Sequence, residues 1–595
     1  MVALNRMRLR DHLTRRNILI ASAVLALGLG VFSYFALRRP PRVAMERYVP
    51  ASALAYVEIN NLADLVGGLT DTKAWRELAP ALGIPDKISQ AGLAADLMGR
   101  TGLGRDEAVI AGRAQFAFVL TGLEAEVGVS EEGGSLHFKP RIAAIVETHS
   151  NSGTARRLAE EQATALARRI YGEATAGERR DYFGAQILIF PGPRPDRQVV
   201  AASAGSVVII SNHTSAVESC LDAIGGPAST ISEDDTLKER RADVDADAAV
   251  FAFITEAGVE KIIDLIPAVL AGRFTTDPDR VSAIANLSDH LLKQTTSGVL
   301  YGAKFESGGV TEKYLTVLRP QVATAIAEPL KSATRANLES LGLVPRQVED
   351  FTILNVDGVG ELPDRLLKQL VPRVDVVAGL ALREFVIGLR KQFGLEATDR
   401  VADALGNEVT LARFGGGEPT AMLLRVKDRS KLAPVLDRYL GEGGSKVATV
   451  EYNGKQVSVS SNKDSRAAAF VGEFLILATR DQMARMIDAE ANNSALSNDE
   501  RLAKVLTSPP ATATIISYRP EMTDAAEMMK AVAALTRSGP ADDEALAAAL
   551  DRLPPSLSFT EFRDYGIITE SRSAVGNFGL IGSLAGGEGT ERSAR

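Results

Sequence analysis

The sequence predicts an α+β protein: two tandem homologous copies with mainly antiparallel sheet and packed helices, preceded by one N-terminal transmembrane helix. Three observations lead there. Twenty consecutive residues near the start carry no charge, short alternating apolar runs bounded by turn residues recur along the remainder, and a series of those runs occurs twice in the same order. At 595 residues the chain exceeds the ~250–300 at which one hydrophobic core stops growing, so more than one domain is expected. Its 46% hydrophobic and 24% charged residues are those of a folded chain.

Residues 1–17 read as a basic cytoplasmic N-terminus. Residues 18–37, ILIASAVLALGLGVFSYFAL, would span a hydrocarbon layer of ~30 Å at ~1.5 Å rise per residue. Arg6, Arg8, Arg10, Arg15 and Arg16 precede this segment, whereas Arg38, Arg39 and Arg42 follow it; the bias keeps the N-terminus in the cytoplasm and the bulk of the chain outside. A cleaved signal peptide is the rival reading, but the segment runs into FALRRPPR, not into a small-x-small cleavage site. Ser22, Ala26 and Gly30 share one helix face at the spacing that lets two helices approach closely.

The body is read from its repeat. DYFGAQI at 181–187 returns as EYNGKQV at 451–457, and each is the centre of a hairpin: Asn453-Gly454 readily supplies the two positive φ angles of a type I′ turn, with Phe183-Gly184 in its place in the first copy. Strand runs follow in both, AGSVVIIS from Ala204 and VGEFLILAT from Val471. Helices ending in Asp222-Ala223 and Asp488-Ala489 come next.

Upstream, PRIAAIVETHS from Pro140 matches EPTAMLLRVKD from Glu418, and ALAYVEI from Ala53 matches DFTILNV from Asp350. Downstream, SEDDTL from Ser232 matches SNDERL from Ser497, each read as a Ser-x-x-acid capping box. DAAVFAFI from Asp247 matches PATATIISY from Pro510, and the hairpin-like FESGGV from Phe305 matches FRDYGI from Phe562. Copy one thus covers 49–320, copy two 345–585, and 321–344 reads as a linker helix. In the second copy a further helix is capped by Ser430, carries its apolar stripe on Leu432, Val435, Leu436, Tyr439 and Leu440, and ends at Gly441. Residues 586–595 read as a disordered tail.

This ordering, with an N-terminal span followed by VPASALAYVEINNLADL from Val49 and the SEDDTL and SNDERL segments upstream of alanine-rich strands, resembles the bacterial exported family known as domain of unknown function 3352. The resemblance covers the chain from about Val49 onward. It implies membrane anchoring and a repeat-built body, and it supplies no catalytic residues.

Charge and reactive side chains narrow the function. The net charge is −8, but residues 1–42 carry +7, which leaves −15 on the body; such a body repels phosphate backbones and argues against nucleic acid as a partner. The single cysteine, Cys220, excludes an intrachain disulfide and reads as a small buried apolar side chain. Of five histidines, His12 precedes the span, and His137, His149, His213 and His290 all fall in copy one, so no histidine site is repeated.

His137 and His149 flank a strand and would lie too far apart to share a zinc ion. Ser460 and Lys463 have the Ser-x-x-Lys spacing but end a strand. DVDAD at 243–247 opens like a calcium loop, yet Ala248 and Ile254 replace the glycine and glutamate it requires. The glycine-rich GGGEP from Gly415 and GEGGSK from Gly441 lack the Gly-Lys-Ser/Thr that cradles phosphate. Trp75 reads as a core or interface filler.

No catalytic, metal or cofactor residue emerges. The sequence therefore points to a non-enzymatic, single-pass protein of the inner membrane, its bulk periplasmic, that serves as an envelope scaffold for a protein partner. An alternative is a carrier of lipid or another apolar ligand, held between sheet and helices or where the copies join. A third reading is a carboxylate-based hydrolase.

Overall fold

A computed structural model describes residues 41–576 apart from 85–109, 111, 131–132, 173–176, 194–196, 275–287, 307, 331–337, 393–401, 416–417, 442–444, 462–464, 507–509, 511 and 520–541. The expected cytoplasmic segment 1–17, the span 18–37 and the tail 586–595 lie outside the described residues. Among those described, no helix is long and apolar enough to cross a membrane.

The body, from Met45 onward, is organised by one 20-stranded antiparallel sheet with helices packed on it. Its strands are β1 (Ala55–Ile59), β2 (Gln115–Ser130), β3 (Gly133–Glu147), β4 (Glu178–Tyr182), β5 (Ala185–Pro191), β6 (Gln198–Ala204), β7 (Val207–Ser211), β8 (Val250–Ile254), β9 (Thr296–Glu306) and β10 (Gly309–Leu318). Then come β11 (Asp350–Asn355), β12 (Leu405–Arg413), β13 (Ala421–Val426), β14 (Val447–Tyr452), β15 (Lys455–Ser460), β16 (Arg466–Val471), β17 (Phe474–Thr479), β18 (Ile515–Arg519), β19 (Ser556–Arg563) and β20 (Gly566–Ser573).

The pairings form a single unbranched path. From one edge it runs β4-β5-β6-β7-β3-β2-β1-β8-β9-β10. It crosses to β20 and continues β19-β18-β11-β12-β13-β17-β16-β15-β14 to the other edge. Read from each edge inward, the second half has the strand order of the first. β10 and β20 join the halves by eight residue pairs, from Val310↔Ser573 to Val317↔Gly566. The hairpins β9–β10 and β19–β20 both turn in two residues, closing on Glu306↔Gly309 and Arg563↔Gly566. Aligning these turns places Lys313 where the other half has Glu570, and those two residues face each other across the joint.

Local chemistry sets the turns as the sequence indicates. Asn453 and Gly454 have φ of 47° and 72°, and Phe183 and Gly184 have 46° and 79°, so both heptads are type I′ hairpins. Tyr182 donates its hydroxyl to Asp222 Oδ1 at 3.0 Å, and Tyr452 donates to Asp488 Oδ2 at 2.7 Å, tying each heptad to the helix that follows it.

The helix starts differ from expectation. Asp234, not Ser232, caps the helix Asp235–Arg240 by accepting from Leu237 N, and Asp499, not Ser497, caps Glu500–Val505 by accepting from Arg501 N. Ser232 and Ser497 lie instead in 3-10 turns just before. A carboxylate bears full charge at the positive helix end, which gives it the advantage over the hydroxyl two positions earlier. Ser430 is likewise no cap: it donates its hydroxyl to Asp428 Oδ1 at 2.7 Å, and the helix runs Ala433–Gly441. After β10 the chain forms the helix Pro320–Leu330 and, following 331–337, a 3-10 turn Glu339–Gly342.

Each half keeps apolar side chains under its helices. Ala155, Ala159, Ala163 and Ala167 of the helix Ser152–Tyr171 are buried against Leu188, Phe190, Val199 and Ala201. What small side chains provide at this place is close approach of helix to sheet. In the second half Phe351 stacks on Tyr518 at 4.8 Å within a cluster that includes Ile353, Leu423 and Ile476. Trp75 packs with Leu78 against Leu546, Ala549 and Leu553, so it fills a contact between the halves.

Candidate functional site

The residues singled out in the sequence are dispersed. Cys220 is fully buried in the helix Thr214–Gly225, and burial pushes its thiol pKa up to about 12, which leaves it unreactive at neutral pH. His137 lies inside β3, opposite Glu126 of β2, rather than flanking the strand; His149 stands two residues past its end. His213 caps the helix Thr214–Gly225 by accepting from Ser215 N at 3.2 Å. Burial, and then the Arg141 guanidinium, hold its pKa below the usual histidine value. His290 binds the Asp375 carboxylate.

Ser460 is buried and donates to Leu440 O at 2.6 Å, and Lys463 lies outside the described residues. Asp243 and Asp245 belong to a 3-10 turn and its end, where Asp245 Oδ1 accepts from Asp247 N. Among the described residues no group of three or more His, Cys, Asp or Glu side chains converges to hold a metal ion.

What the fold does assemble is a cavity of about 390 Å³ where the two halves meet. Among the described residues, five cationic ones from four separate places line it, Lys73, Arg501, Lys504, Arg552 and Arg572, with Glu306 as the one carboxylate. Each position has a structural cause. Lys73 opens the helix Lys73–Ala81, capped by Thr72, and donates to Arg552 O at 2.7 Å. Arg501 and Lys504 lie on the helix that Asp499 caps, and Arg572 is on β20.

Carboxylates set behind the wall orient three of the guanidinium groups. Arg501 binds Asp499 at 3.2 Å, Arg552 binds Glu77 at 2.7 Å and Arg572 binds Glu570 at 2.7 Å. The Asp499 hydrogen bond holds Arg501 above its usual pKa. Burial works against the charge of Asp499, yet the bonds from Arg501 hold its pKa below the ordinary carboxylate value. The three guanidinium groups are therefore oriented by ion pairs at their backs.

A second cleft, of about 380 Å³, is lined by Glu328, Asp564, Arg563, Thr512 and Thr514 among the described residues.

Sequence reasoning did not find the basic cavity because its residues span positions 73–573 and carry no motif. One signal was present: in the matched FESGGV and FRDYGI, Gly308 stands opposite Tyr565, a change from no side chain to a large one. Compared with known proteins, the chain matches no family, no curated protein and no solved structure.

Proposed function

We propose that this chain is a non-enzymatic scaffold of the cell envelope, anchored in the inner membrane through residues 18–37, with a body built by tandem duplication that receives an extended segment of a partner protein along β14. The resemblance to the exported family named above belongs to this reading, as does the periplasmic placement of the body. The repeated strand order of the two halves supports duplication.

The observation that carries the binding role is a difference between the two sheet edges. β4 and β14 occupy the same position in their halves and each pairs with one described strand, β5 and β15 respectively. An edge strand presents unpaired N–H and C=O groups, and charged side chains are a common guard against pairing there. β4 is guarded: it reads ERRDY, with Arg179 bonded to Glu160 and Arg180 to Glu218. β14 reads VATVEY, and its residues 447–451 are all exposed, Val447 at 44% and Val450 at 37%. Addition of a partner strand would satisfy that backbone and cover the valines.

The test transfers the guard. With the heptads aligned, Arg179 and Arg180 match Thr449 and Val450, so the variant is Thr449→Arg/Val450→Arg. A photocrosslinker at position 447 in native membranes should give a discrete adduct that this variant loses while its circular dichroism and melting curve stay unchanged. A folded variant that retains the adduct, or the absence of any adduct in the parent, refutes the reading.

A further inference from the structure

We infer that the cavity between the halves is a binding site for a phosphate-bearing anion, and that Gly308 keeps it open. The argument rests on comparing the two sides of the β10–β20 joint. On one side Tyr565, in the β19–β20 turn, packs under Arg240 of the helix Asp235–Arg240, whose guanidinium lies 3.8 Å from the ring centre. Burial raises the Tyr565 phenol above its ordinary pKa, with the Asp243 charge adding to the effect. That side is plugged by an aromatic ring.

On the other side the same turn position is Gly308, and a Cβ placed there meets no heavy atom within 4 Å. Gly308 is part of the cavity's lining, so a side chain added there would start from the cavity wall. The adjacent Gly309 is different: its φ is +155° and a Cβ would fall 2.1 Å from Ser573 O, so glycine is required there by the joint. Gly308 has no such backbone reason and serves the opening.

The walls decide the ligand class. Among the described lining residues five cations face one carboxylate, in a body whose net charge is −15, and three of the cations are guanidinium forks paired with carboxylates that do not line the cavity. Oriented forks and ammonium groups around a small cavity match the several acceptor oxygens of a phosphoryl group. The group could arrive on a soluble molecule or on the headgroup of an anionic lipid, and both present the same oxygens. This inference is independent of the β14 reading.

The experiment uses the full chain in neutral detergent or nanodiscs. Titration calorimetry with inorganic pyrophosphate, and flotation with phosphatidylglycerol or phosphatidylcholine vesicles, compares the parent with Gly308→Tyr, which copies the plug, and with Lys73→Gln/Lys504→Gln, which keeps the space but removes two charges. Binding of pyrophosphate that falls at least ten-fold in both variants supports the site with a soluble ligand. Binding confined to phosphatidylglycerol vesicles and reduced similarly in both variants supports it with a lipid headgroup. No binding of either probe by the parent, or binding that Gly308→Tyr leaves intact, overturns it; the latter outcome would assign any vesicle attraction to the arginine-rich residues 1–42.

Discussion

Lys313 of β10 faces Glu570 of β20, with Nζ 4.0 Å from Oε2, at the midpoint of the joint between the halves. Because aligned hairpins give these two positions the same place in their halves, an identical residue at both would set like charges opposite one another. Lys313→Glu should therefore destabilise the chain, and Glu570→Lys likewise, each by about 0.5–1 kcal/mol, since both side chains are part-exposed and opposed like charges on paired strands cost that order. The double exchange Lys313→Glu/Glu570→Lys should recover most of the loss. A double-mutant cycle from denaturant melts reads the coupling, and a coupling of zero would remove the pair from any account of the joint.

Gly309 is the more demanding element of the same joint. Gly309→Ala places a Cβ 2.1 Å from Ser573 O and forces a residue with a side chain to φ +155°. Backbone strain of ~1–3 kcal/mol adds to the clash. The expected result is a lower melting midpoint together with accelerated amide exchange in β10 and β20, whereas Gly308→Ala should leave both near the parent values. Equal behaviour of the two alanine variants would contradict the geometry.

A pH dependence follows from Glu408. Its side chain is fully buried on β12, and burial raises its pKa, outweighing the hydrogen bonds it accepts from Ser340. A carboxyl whose folded pKa lies above its unfolded value binds its proton more tightly in the folded state. Its contribution to stability is then complete below the unfolded value, near 4.3, and is lost as pH rises through the raised folded value. Glu408→Gln, which keeps an oxygen for Ser340 N, should remove that loss and so be more stable relative to the parent at pH 7 than at pH 4. Parallel stability curves for parent and variant between pH 4 and 7 would refute the assignment.

The hairpins were legible because their chemistry is local: a residue at positive φ followed by glycine announces each heptad turn, and both turns form at the expected positions. The tyrosine repeated in the two heptads and the aspartate of the Asp-Ala pairs further on were visible only as coincidences between the two copies. Their meaning, a hydrogen bond from Tyr182 to Asp222 and from Tyr452 to Asp488, needed the third dimension. The caps Asp234 and Asp499 lie two residues beyond the expected serines because serine and aspartate both cap, and spacing alone does not rank them. The basic cavity lay beyond sequence reasoning for another reason: its cations come together through the β10–β20 pairing and the docking of helices from opposite halves, contacts hundreds of residues apart.

The crossing from β10 to β20 makes the covalent connection between residues 318 and 350 secondary. Each half ends on a strand whose neighbour belongs to the other half, so a molecule clipped in that connection would remain one particle. Halves synthesised separately would each start life with a raw, adhesive border, and would be safe from clumping only after finding one another.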